Sequence, residues 1–288
     1  MASSPTDWDY LAGPFAFRVR ASATEVGTLL ERYLMPFRVD AATPDGAVTT
    51  YDITRHPETP DTWSASWDGK EHITGADLTA TVDHILWEVT QAAIARARSL
   101  ALHAGAVSWQ DRAVLLPAPS GSGKSTLAAG LTRAGCAYLT DELALIDPQT
   151  AGLVPFPRAL WMAPASIDLF PGLASRLPTE LDVPGREKRH VPPDDLRPGA
   201  VGGPCPVGHV VFPEYVVGSP TTLEPVGRAE AVVGMITNSF NFASLGPSGL
   251  ELVGRVVAGS TCYRLRTGDI TEAVAVVRDL VQSAAPAG

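Results

Sequence analysis

The chain has 288 residues, 45% hydrophobic and 18% charged, with a formal net charge of −9. That is enough for one large domain, or a main domain with a smaller one, around an ordinary core. No Lys/Arg-rich run and no basic helix face offsets the acidic balance, which argues against nucleic acid as the main partner.

Nothing approaches the roughly 18 continuous apolar residues of a membrane span. The first residues, Met1 to Asp7, show neither a basic n-region nor an apolar h-region, so a cytoplasmic protein without a secretion signal or a membrane partner is expected. Cys136, Cys205 and Cys262 are far apart and lack ligand spacing, which points to reduced thiols.

Residues 1–76 read as a small β-rich module. Phe15 to Arg20 alternates apolar and polar, the 46–54 and 62–67 segments are strand-like between turn residues, and a helix is expected around Ala23 to Tyr33. A long amphipathic helix comes next, from about Asp77 to Ser99, capped by Thr74, with Val82, Ile85, Leu86, Val89 and Ala93 at helical spacing. This helix is expected to connect an N-terminal module, 1–99, to a nucleotide-binding domain, 100–288.

The second part opens with a hairpin: Leu102 to Val107, a turn at Gln110-Asp111, and the apolar run Arg112 to Pro117. The loop after this hairpin organises the rest of the chain. Ala118 to Ser125 reads A-x-x-x-x-G-K-S, the phosphate-binding loop pattern with Ala in its first position, and a helix runs on from Thr126 to Ala134-Gly135. Ser120, Gly121, Ser122, Gly123, Lys124, Ser125 and Thr126 are the candidate ligands of a nucleoside triphosphate. Gly121 and Gly123 let main-chain N–H groups turn inward around anionic oxygens, and the helix start adds its positive end. Lys124 would reach the β/γ-phosphates, and Ser125 would offer a hydroxyl to Mg²⁺.

Seventeen residues after Lys124, the acid pair Asp141-Glu142 interrupts two apolar strands. Phosphoryl transfer to a hydroxyl needs a carboxylate near Mg²⁺ and a base for the acceptor's proton, and two adjacent acids divide those tasks. His103, on the strand antiparallel to the one feeding the loop, is the third candidate. Residues 155–227 are rich in Pro and Gly and read as ordered loops or a lid over a site, with a cationic island at 186–190. Helices are expected over 228–245 and 248–257, then a strand at Cys262 to Leu265 and an Asp269-capped helix from Ile270 to Ser283.

Leu102-His103-Ala104, the Pro119–Thr126 loop and Thr140-Asp141-Glu142-Leu143-Ala144 together resemble the HPr kinase/phosphorylase superfamily. Ala165 to Leu169, Val211 to Tyr215, Asn238 to Asn241 and Cys262 to Leu265 are similar to its smaller HPr-kinase-related members, found beside peptide-maturation genes such as those of lasso peptides, or beside protein-sorting genes of the PEP-CTERM type. The resemblance covers residues 100–280 closely and 15–100 loosely. It implies an α/β fold: a phosphate-loop core with a mixed sheet, shared with ATP-dependent phosphoenolpyruvate carboxykinases, beside the β-rich module. It also implies ATP and Mg²⁺ as cofactors, Asp141 as the base, Lys124 and His103 as catalytic partners, and Ser125 with Glu142 at the metal. Lys188-Arg189 would close over phosphate, and Asp168 would be a further acid. Two departures stand out: Glu142 replaces the family's second Asp, and the Glu-Val-Arg-Gly-type signature of true HPr kinases is missing, which argues against HPr as the acceptor.

The expected function is an ATP/Mg-dependent kinase acting on a serine of a protein or peptide, a ribosomally made precursor peptide among the candidates, with homo-oligomers open. Two alternatives remain: a kinase of a small-molecule acceptor, and a nucleotide-binding regulatory module without transfer activity.

Overall fold

The computed structural model describes residues 5–39, 48–177 and 188–283, and the chain divides into two units, 1–96 and 97–288. The first unit comprises β1 (Thr6–Ala12), β2 (Phe15–Ala21), α1 (Thr24–Leu34), β3 (Thr49–Arg55), β4 (Trp63–Trp67), β5 (Lys70–Ala76) and α2 (Leu78–Arg96). The strands lie in the order β1-β2-β3-β4-β5, antiparallel except for β2 and β3, whose parallel pairing needs the α1 crossover between them. The alternation of β2 sorts its faces. Phe15, Phe17, Val19 and Ala21 are buried, while Arg18 and Arg20 point the other way and pair with Asp9 and Asp7.

Helix α2 packs on α1 and on β1, β2, β4 and β5, and Val82, Ile85, Leu86, Val89 and Ala93 belong to the first unit's core. Its start is capped by Asp77, whose carboxylate accepts from Ala80 N–H at 2.7 Å, because Thr74 lies inside β5 and is not free to cap. No helix among the described residues is long and apolar enough to cross a membrane.

The second unit is mixed α/β. It comprises β6 (Leu100–Trp109), β7 (Arg112–Pro117), α3 (Lys124–Arg133), β8 (Ala137–Thr140), β9 (Leu143–Ile146), β10 (Gly152–Val154), β11 (Leu160–Met162), α4 (Pro164–Asp168), β12 (Arg189–Val191) and α5 (Pro193–Leu196). Then come β13 (Cys205–Tyr215), β14 (Thr222–Pro225), α6 (Arg228–Thr237), α7 (Phe242–Leu245), α8 (Pro247–Gly259), β15 (Thr261–Thr267) and α9 (Ile270–Ser283). The main sheet runs β10-β9-β6-β7-β13-β15-β14, and β8 pairs with β6 beyond the end of β9. The hairpin between β6 and β7 turns at Gln110 and Asp111, both at positive φ (46° and 58°), as a tight two-residue connection demands.

Each face of this sheet has its own core. Val114, Leu116 and Val211 pack with Leu127 and Leu131 of α3 and Val277 of α9. Leu102, Leu115 and Val210 pack with Met235 of α6 and Val253 and Val257 of α8. Helices α3 and α9 approach closely at Gly130, where a Cβ would come within 2.5 Å of Val274 Cγ2.

The Pro- and Gly-rich stretch is more regular than expected. It contains β13, which lies between β7 and β15 and is parallel to both. A strand covered on both faces reads as an apolar run such as Val210-Val211-Phe212 without alternation. The same stretch holds the β11–β12 pair; residues 186 and 187 of the cationic island lie outside the described residues. The helix expected over 228–245 breaks at Thr237, because the next residues bond to β6: His103 N–H donates to Asn238 O at 2.7 Å, and Phe240 N–H to Ala101 O at 2.9 Å.

Candidate functional site around Lys124 and Asp141

Strand β7 ends at Pro117, and the chain turns through Ala118 to Gly123 before α3 begins. Gly121 (φ 85°) and Gly123 (φ 88°) sit in the left-handed region, where a side chain would be strained. Gly123 starts α3 without a side-chain cap, so the first N–H groups of Lys124, Ser125 and Thr126 stay at the positive end of the helix. Ser120 and Gly121 are exposed; Ser122, Gly123, Ser125 and Thr126 are half-buried. Lys124 is only 5% exposed.

Asp141 and Glu142 occupy a break in one strand path. Beside β6, Thr140 pairs with Ala106 and Leu143 pairs with His103, leaving the acids opposite Ala104 and Gly105. The Thr140 hydroxyl donates to Leu143 O at 2.9 Å and closes the gap. Such an interruption redirects side chains that would otherwise follow the pleat. Asp141 is turned inward, 4% exposed, and Glu142 outward, with its side chain 40% exposed.

Asp141 is poorly solvated. Its Oδ2 accepts one long bond from Trp161 N–H at 3.4 Å, and its Oδ1 is buried without a hydrogen-bond partner among the described residues. Burial raises its pKa to about 6, against the pull of the neighbouring Ser125 hydroxyl and the Lys124 ammonium, and Glu142 adds to the rise. Lys124 is lowered by its own burial, restrained by Asp141 and Glu142 and lowered further by Lys188. His103 Nε2 stands 3.7 Å from Glu142 Oε1, and its ring lies 5.6 Å from that of Phe240. Burial and then Lys124 lower the His103 pKa against the pull of Glu142, which favours the neutral imidazole.

Lys124, Ser125, Asp141, Glu142 and His103 therefore come together, with the Ser125 hydroxyl beside Asp141 and Glu142 beside His103. Lys188 lies within electrostatic range of Lys124. Asp168 ends α4 exposed, and no described contact joins it to the cluster. Trp161 gave no sequence signal, being one aromatic in a Pro-rich stretch. It stands on β11, and its ring packs on His190 of β12 at 4.3 Å while its N–H faces Asp141.

Among the described residues no three His, Cys, Asp or Glu side chains form a metal cage. Mg²⁺ does not need one, since it takes one or two carboxylates and keeps phosphate and water oxygens for the rest. The orphaned Oδ1 of Asp141 and the Ser125 hydroxyl are hard oxygen donors of the required kind.

No family model matches the sequence, and no curated protein matches it. Among solved structures, the HPr(Ser) kinase/phosphatase from Coxiella burnetii is similar at 12% identity and a TM-score of 0.31, over 64% of this chain and 97% of that one. A likeness this distant carries no weight for function, which has to be read from the side chains of this chain.

Proposed function

We propose that the second unit is an ATP- and Mg²⁺-dependent kinase that phosphorylates a serine hydroxyl of a protein or peptide in the cytoplasm, ribosomally made precursor peptides included. The observation that carries this is the buried pair of Lys124 and Asp141 beside Ser125 at the end of a glycine loop, with one carboxylate oxygen unsatisfied among the described residues. Buried charges without a full set of partners are costly, and sites that wait for a charged ligand accept that cost.

The main-chain N–H groups from Ser120 to Thr126 hold the phosphate oxygens, and Lys124 neutralises the transferring phosphoryl group. Ser125 and Glu142 would hold Mg²⁺, which would supply positive charge to offset that of the phosphates. Asp141, with its pKa of about 6, is ionised at pH 7 and still basic enough to accept a proton. It takes the proton from the serine Oγ–H as Oγ forms a bond to the γ-phosphorus. The bond from that phosphorus to the β,γ-bridging oxygen breaks, and ADP leaves. His103 Nε2, 3.7 Å from Glu142 Oε1, would orient that carboxylate once the two close to hydrogen-bond distance.

The contact between Ser125 and Asp141 favours a second assignment, in which Asp141 rather than Glu142 supports the metal. Calorimetry with Mg·ATP and transfer from γ-labelled ATP separate these possibilities. Lys124→Ala should weaken nucleotide binding and abolish transfer. Asp141→Asn should keep Mg·ATP binding and cut transfer by about 10²–10⁴-fold if Asp141 is the base. If it holds the metal instead, the Mg²⁺ dependence of binding goes with it. Transfer surviving Asp141→Asn at the wild-type rate would sink both. Turnover of candidate metabolites without any peptide would identify a small-molecule kinase. Tight ATP binding with no product across peptide and metabolite panels would identify a regulatory module.

A further inference from the structure

The glycine loop has two unlike sides. On one, β6 and the break after β8 bring His103, Asp141 and Glu142. On the other stands β13, in register with β7 at His209 with Val114 and Val210 with Leu115. Strand β7 stops at Pro117, but β13 runs on to Tyr215, which pairs with Thr267 of β15. Val211, Pro213 and Tyr215 share one face of β13, and Val211 packs in the core under α3, so Tyr215 stands on the α3 side beyond the end of that core.

Its place is fixed. A Cβ on Gly123 would lie 3.3 Å from Tyr215 Cβ, so the base of the tyrosine abuts the last residue before α3. The turn behind it is pinned, with Val216 N–H donating to Thr267 O at 2.9 Å and Ser219 N–H to Val216 O at 3.0 Å. Yet Tyr215 is 50% exposed, and Val217 close by is 82% exposed. Tyr215 is thus anchored at its base beside the loop with half of its surface open.

We propose that Tyr215 is the platform for the nucleoside of the bound triphosphate, and so the residue that makes the site prefer a nucleotide to a bare polyphosphate. The inference rests on the kinase function above. With its last phosphate on the Asp141 side, a triphosphate crossing the loop away from β8 would bring its nucleoside to the β13 side, where Tyr215 stands. A base of any kind offers a π-face to an aromatic ring, so the platform gives affinity with little selectivity among bases.

The experiment is calorimetric, on the full chain, with Mg·ATP and Mg·tripolyphosphate as the two probes. Tyr215→Ala is expected to weaken Mg·ATP about tenfold and to leave Mg·tripolyphosphate unchanged, with Tyr215→Phe restoring ATP affinity. Lys124→Ala is expected to weaken both probes. Equal loss of both probes in Tyr215→Ala shows that the tyrosine only shapes the loop and overturns the platform, as does unchanged ATP affinity; either result leaves the kinase function standing. Wild-type protein that takes up neither probe overturns the kinase function itself, and the platform with it.

Discussion

Two charge clusters, one in each unit, are built in opposite ways. On the outer face of the first unit's sheet, Asp7 stands opposite Arg20 and Asp9 opposite Arg18, and Arg20 also faces Asp52 across β3. Arg20 Nε donates to Asp7 at 2.7 Å and Arg18 Nε to Asp9 at 2.7 Å, all in partly exposed positions. Each cation there already has its anion. In the second unit, Lys124 and Asp141 are buried, Asp141 keeps an unsatisfied oxygen, and the nearest further charges, Glu142 and Lys188, raise the cost as well as lowering it. Charges that satisfy one another shape a surface; charges left short inside a fold point to a partner that arrives from outside.

The largest stability change should come from relieving that shortage. Raising the pKa of Asp141 from 3.8 to about 6 means that keeping this group ionised costs the folded protein up to about 3 kcal/mol, at roughly 1.36 kcal/mol per unit. The folded state holds the proton more tightly, so the penalty is absent below the unfolded value of 3.8 and complete once pH passes about 6. Asp141→Asn keeps the shape and removes the charge. Urea denaturation of the nucleotide-free protein should find the variant more stable at pH 7–8, with the advantage shrinking toward pH 4. A variant that is less stable than wild type at pH 8 would mean that Asp141 is satisfied in the free protein.

A smaller effect separates the glycines of the two units. Gly75 of β5 (φ 67°) has nothing within 4 Å of where a Cβ would stand, whereas Gly123 (φ 88°) would meet Tyr215 at 3.3 Å. Gly75→Ala should lose about 1–2 kcal/mol for the left-handed backbone alone. Gly123→Ala should lose that and more, and should also lower Mg·ATP affinity. Thermal melts with and without Mg·ATP check this. Equal losses with equal nucleotide shifts would show that the loop's geometry does not depend on the fit to Tyr215.

Much of this site was legible because its chemistry is local in sequence. A glycine loop between a strand and a helix, and an acid pair that breaks an apolar run, each lie within a few residues. The burial of Asp141 and the orphaned Oδ1 were not legible, since they depend on Trp161 and on packing from remote segments. Tyr215 ends the Val211 to Tyr215 stretch that carries the resemblance, but nothing in that stretch gives it a role; only the register of β13 against β7 takes it to Gly123. In the first unit, β1 and β5 escaped notice for different reasons. Asp7, Trp8, Asp9, Tyr10 and Leu11 do alternate, but as short alternation between two acids. Lys70 to Ala76 is an edge strand with no residue fully buried, so hydrophobic patterning has nothing to mark. The Asp77 cap lost to Thr74 because both are good caps, and only the extent of β5 separates them.

The ion pairs of the first unit should give the smallest effect, and one of opposite sign in pH. Arg20 lowers the pKa of Asp7, first through its hydrogen bond. A lowered carboxylate contributes stability above its unfolded value of 3.8 and loses it as pH falls through the folded value. Arg20→Met keeps the aliphatic stem over the sheet and removes the charge. It should therefore weaken the fold slightly at neutral pH, lose that difference in acid, and lose most of it in 1 M salt, where screening reaches about 3 Å. The Asp141→Asn difference should persist in the same salt, because Asp141 is buried. Parallel urea titrations of both variants at low and high salt check the pair: if salt erases both differences alike, the buried cluster is as wet as the ladder, and Asp141 is no longer a charge kept in wait for a ligand.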